Sequence, residues 1–94
     1  MTNESKHNQV VRREARRLQR GGWNVRADIS GYEQPAPIGA ENRIPDVQAT
    51  KHGHTKLIEV ETRKSVKSDR AQQSTFRRSA AQRNNTTFDI VETG

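Results

Sequence analysis

Four carboxylates in this chain are spaced so that they could act together. Residues 43–50 (RIPDVQAT) and 55–62 (TKLIEVET) read as two strands joined at Lys51-His52-Gly53-His54, the composition of a hairpin turn. Whether the turn takes two residues or four, the register is the same: Asp46 lies opposite Glu59 and Ile44 opposite Glu61. Side chains alternate across a strand, so Asp46, Glu59 and Glu61 project from one face. Crowded carboxylates repel one another and stay ionised only with a cation among them. Their oxygens are the ligand set of Mg²⁺ or Mn²⁺, and Mg²⁺ in particular takes one or two carboxylates together with water and phosphate oxygens. A cation held in this way polarises a phosphodiester, lowers the pKa of an attacking water and neutralises charge on the leaving oxygen.

The fourth carboxylate, Glu14, belongs to a helix. Residues 8–20 (NQVVRREARRLQR) place Val11, Ala15 and Leu18 on one stripe and five arginines on the other side, and Gly21-Gly22 ends the segment. Glu14 falls inside the apolar stripe. A charged group there needs a partner or a function, so two readings stand: pairing with Arg17 or Arg26, or a role at a metal site. Residues 23–29 (WNVRADI) alternate as a half-buried strand. Residues 30–42, with two prolines and two glycines, are expected to form an exposed loop. Ser68 is the expected N-cap of a second helix over residues 69–83, and residues 86–91 (TTFDIV) supply a last strand. Residues 1–7 are expected to be flexible.

The chain's 94 residues allow a single domain spanning 1–94, and 29% hydrophobic content implies a thin core that a second subunit would supplement. With no cysteine there is neither a disulfide framework nor a thiolate zinc site, and no apolar run suggests a membrane segment, so a cytoplasmic or other intracellular protein with no membrane partner is expected. The net charge of +6 is unevenly placed, with basic ends around an acidic centre. That distribution suits a polyanion gripped at its flanks while a cation sits in the middle. The phosphate contacts expected on this basis are Arg12, Arg13, Arg16, Arg63, Lys64, Lys67, Arg70, Arg77 and Arg78. His52 and His54 flank a glycine at the hairpin tip and read as exposed turn residues rather than zinc ligands.

Together these elements resemble a minimal member of the PD-(D/E)xK nuclease superfamily. Pro45-Asp46 resembles the PD element, and Leu57-Ile58-Glu59-Val60-Glu61 the (D/E)xK strand. Gln72-Gln73-Ser74-Thr75-Phe76 is similar to the Gln-x-x-x-Tyr helix of RecB-like nucleases, and the opening helix with Glu14 resembles that of archaeal Holliday-junction resolvases. The resemblance implies an α/β fold: one restriction-endonuclease-like core of order αβββαβ, a mixed sheet flanked by helices. It implies a metal-dependent endonuclease hydrolysing DNA, with branched DNA among the candidate substrates and RNA left open; the thin core and the two strands of a duplex then lead to the expectation of a homodimer. Asp46, Glu59 and the Val60 carbonyl would ligate Mg²⁺ or Mn²⁺, Glu14 would reach it through water, and Glu61 and Gln72 would complete the catalytic group. The pattern departs at Glu61, where the family carries lysine. Glu61 would then serve as base or second ligand, Arg63 or Lys64 would fold back, or the domain would bind nucleic acid without cleaving it. The plainer alternatives are a turn role for Asp46 and a solvated strand edge for Glu59 and Glu61.

Overall fold

A computed structural model describes residues 4–39, 42–62 and 70–93. The element order is α1 (Lys6–Arg20), β1 (Asn24–Ala27), β2 (Val47–Lys51), β3 (His54–Glu61), α2 (Arg70–Gln82) and β4 (Thr86–Glu92). The αβββαβ order and the mixed sheet expected from sequence are therefore present. The strands lie in the order β1-β2-β3-β4, antiparallel except for the β3–β4 pair. His52 and Gly53, both at positive φ, make the two-residue turn between β2 and β3, and Val47 faces Ile58 in the expected register.

The two helices cover opposite faces of the sheet. Val11, Ala15 and Leu18 of α1 pack on Ala27, Val47, Ala49, Ile58 and Val60. Phe76 of α2 packs on Leu57 and Ile38, with Phe88 beside it. Being buried on both sides, β3 is a near-continuous buried run from Leu57 to Glu61. It is an interior strand, so Glu59 and Glu61 are not on a solvated edge. Alternation along β3 puts both of them on the Leu57 side, facing α2.

Several boundaries differ from the sequence reading. α1 begins at Lys6, because the Ser5 hydroxyl accepts the Asn8 N–H at 3.1 Å and caps the helix. Residues 6 and 7 thus belong to the helix, and Glu4 pairs with Arg12. β2 begins at Val47 instead of residue 43: Pro45 has no N–H to give the ladder, and Arg43 instead exchanges backbone bonds with Ile38. β1 is also shorter, with Asp28 N donating to the Asp46 carbonyl at 2.9 Å just past its end. The expected start of α2 at Ser68 and Asp69 lies outside the described residues.

The segment after β1 is not exposed along its length. Pro35 and Ile38 are buried, the Tyr32 hydroxyl donates to Gln19 at 2.9 Å, and Ala36 N donates to the Gln48 side chain at 3.0 Å. Gly39 closes the segment against α2: its φ is +77°, and a Cβ there would sit 2.7 Å from Thr75 Cγ2. Gly39→Ala is therefore expected to cost about 1–3 kcal/mol through crowding and strain at positive φ. Thermal melts should fall accordingly, with Thr75→Ser restoring part of the loss. Gly53→Ala, with nothing near its Cβ, supplies the strain-only comparison.

Candidate active site

β3 and the start of β2 bring the expected pair together. Asp46 sits in the bend just before β2, and its Oδ2 accepts the Val60 N–H at 2.8 Å. A side-chain oxygen thus takes a backbone donor of β3, which fixes the carboxylate beside Glu59. Glu59 is only 1% exposed, and its carboxyl hydrogen-bonds to Asp46. Gln72 of α2 donates from Nε2 to Glu59 Oε1. These residues line a cleft of about 260 Å³ at the C-terminal end of β3, together with His7, Val60, Glu61 and Thr62.

Burial pushes the Glu59 carboxyl up to about 9, reinforced by its hydrogen bond to Asp46 and by the Asp46 and Glu61 charges, with Gln72 opposing. At neutral pH the Glu59 carboxyl is therefore held in its protonated form. Because the folded pKa lies above the ordinary 4.5, the native state binds a proton that the unfolded chain releases. The linked stability is present in full below about 4.5 and is lost as pH rises toward 9. In chelator, the melting temperature of the wild type is expected to fall across that window relative to Glu59→Gln, whose amide cannot titrate. Parallel pH–melting curves for the two proteins would contradict this.

The contribution of α1 to the cleft is His7, not Glu14. His7 Nε2 lies 3.3 Å from Asp46 Oδ2, and Nδ1 lies 3.0 Å from the Asn8 side-chain oxygen. Burial pulls the imidazole down, but the Asn8 bond and the Asp46 and Glu61 charges outweigh it and hold His7 above its ordinary value. Glu14 is two turns further along the helix. Its carboxylate accepts the Arg17 Nε–H at 2.7 Å, and it does not line the cleft, so the ion-pair reading describes its placement. Arg26 instead approaches Glu33, at 3.7 Å. The sequence signal for His7 is its position one turn before Val11, on the stripe that runs through Glu14 and Leu18, and it counts only when the helix starts at Lys6 rather than at residue 8.

Among the described residues, no three His, Asp or Glu side chains already converge as a ligand set. The donor types at the centre are those a hard divalent cation takes: two carboxyl groups side by side, Asp46 held by the Val60 N–H and Glu59 by Gln72. Mg²⁺ needs no larger protein set than one or two carboxylates.

The basic residues lie on the outer faces of the helices. Arg13, Arg16 and Arg20 are exposed and, with Arg12, border a groove of about 760 Å³ along α1. Arg12 is engaged by Glu4 and by the Ser30 carbonyl. Arg70, Arg77 and Arg78 are exposed on α2, with the Arg77 guanidinium 5.4 Å from the centre of the Phe88 ring. Arg63, Lys64 and Lys67 lie outside the described residues. His52 and His54 are exposed at the hairpin tip. No described helix is long and apolar enough to cross a membrane. No protein-family model matches the chain, and no curated protein or solved structure does either.

Proposed function

We propose that the chain is a Mg²⁺- or Mn²⁺-dependent intracellular endonuclease of the PD-(D/E)xK type that hydrolyses phosphodiester bonds in DNA. The observation that carries this reading is the Asp46–Glu59 pair: two carboxyl groups side by side in one cleft, at the positions that the superfamily resemblance assigns to metal ligands. Asp46, Glu59 and the Val60 carbonyl would hold the cation, with Glu61 lining the same cleft. The bound cation supplies charge to polarise the phosphodiester and to acidify a water. Gln72 keeps Glu59 oriented. His7 is the cleft-lining side chain, among the described residues, that can carry positive charge, in a site where Glu61 stands in the lysine position. The arginines of α1 and α2 would grip phosphates with little regard to sequence. Cutting both strands of a duplex calls for two such sites, so the active species is read as a homodimer.

The test combines two measurements on the same protein. Mn²⁺ at a hundred times its Kd should stabilise the fold by about 2.7 kcal/mol, seen as a raised melting temperature. Linear duplex, nicked and branched DNA, with RNA as a further arm, should then be incubated with Mg²⁺ or Mn²⁺ and scored for cleavage. Nucleic acid retained with neither a metal shift nor turnover would replace this reading with that of a binding module. Sedimentation of the DNA-bound protein as single 10.7 kDa subunits would remove the dimer.

A further inference from the structure

At the hairpin end of the sheet, remote from the carboxylates, a groove of about 510 Å³ runs between Trp23, the β2–β3 turn and the start of β4. It exists because α1 ends at Gly21 and leaves the last part of that sheet face uncovered. Among the described residues its walls carry two lysines and no carboxylate. Lys51 Nζ donates to the Gly21 carbonyl at 2.7 Å, which fixes its ammonium in place while leaving two of its three N–H donors unspent on that bond. Lys56 Nζ lies 5.4 Å from the centre of the Trp23 ring. Asn85 and Thr87 add an amide and a hydroxyl to the rim.

We infer that this groove seats single-stranded nucleic acid, with phosphates on Lys51 and Lys56 and a base on Trp23. One tethered and one mobile cation, with no carboxylate beside them among the described residues, select an anion. An indole face beside them selects a ligand that is planar as well as anionic, and bases stack on aromatic side chains with little dependence on sequence. Asn85 and Thr87 offer hydrogen bonds to base edges. In a duplex, base faces are covered by their neighbours, so only an unpaired segment can present one to Trp23. Lys56 covers the indole in the free protein. Its flexible stem lets the ammonium move onto a phosphate as the base takes its place. None of this depends on the carboxylate cleft, because it concerns binding and not cleavage.

Trp23 is the only tryptophan of the chain, so its fluorescence reports on this groove directly. The experiment titrates the full chain, in chelator to prevent cleavage, with an oligothymidylate of eight residues, with inorganic polyphosphate of equal charge and with a blunt duplex. The expected result is saturable quenching by the oligothymidylate, weaker at higher salt, and little quenching by the other two. Lys51→Gln and Lys56→Gln, each melting like the wild type, should each lower the slope of log K against log salt by about 0.7. Quenching should persist in Asp46→Asn, so that failure of the cleft reading and failure of this one are separable. Equal quenching by polyphosphate would reduce the groove to an anion site and overturn the inference. So would equal quenching by duplex, binding seen by anisotropy without quenching, or no binding.

Discussion

Asp46→Asn is expected to lose metal-supported cleavage by at least about a hundredfold, the scale seen when one preorganised electrostatic contact is removed from an active site. The same protein should melt no lower than the wild type in chelator. Asparagine keeps an oxygen that can accept the Val60 N–H, the bond that Asp46 Oδ2 makes at 2.8 Å, so the local backbone need not move. It also removes one of the two negative charges that lift Glu59, which relieves repulsion inside the cleft. The Mn²⁺-dependent rise in melting temperature should disappear with the activity. A structural role for Asp46 predicts the opposite combination, a lower melting temperature with cleavage scaled only to the folded fraction. Full activity in Asp46→Asn would move the site elsewhere.

Phe76→Ala is expected to be the most damaging substitution in the fold. Phe76 is fully buried, and it joins three parts of the chain: Leu57 of β3, Ile38 of the segment after β1, and Phe88 of β4, whose ring centre is 5.8 Å away. Truncating a buried phenylalanine costs roughly 3–5 kcal/mol, against a total stability of about 5–15 kcal/mol for a domain. This cluster is small, so neighbouring groups have little to refill the cavity with. Urea titration should show the midpoint falling by a third or more, and Phe76→Leu should recover most of it. Because Gln72 is one turn before Phe76, loosening α2 also removes the donor that orients Glu59.

The sequence was most legible where one local rule decides the outcome. The hairpin register followed from His52-Gly53 and alternation alone, and with it the meeting of Asp46 and Glu59. The stripe of α1 was equally plain, since Val11, Ala15 and Leu18 recur at helical spacing. Legibility ended where tertiary contacts overrode the local pattern. Residues 30–42 look like an exposed loop because prolines and glycines carry no periodicity, yet Pro35 and Ile38 are buried and the segment is tied to both helices. The strand expected from residue 43 starts late because Pro45 and the Ile38–Arg43 bridge divert its backbone. At the site, Glu14 was set apart correctly as a buried charge, but stripe position alone does not say whether Arg17 or a cation answers it. His7 is hard to see in the sequence because only the Ser5 cap brings residues 6 and 7 into the helix.

The parallel pairing of β4 with β3 also sets an order of events as the chain leaves the ribosome. Antiparallel neighbours β2 and β3 are joined by a two-residue turn and can close early, with α1 already made. A parallel partner must wait for a complete crossover, here the connection that includes α2. Until β4 arrives, β3 stands at an edge, and Glu59 keeps its contact with water. The desolvation that raises Glu59 therefore falls on the final docking step. The arrival of α2 and β4 is thus the step that takes Glu59 out of water and brings Gln72 against it.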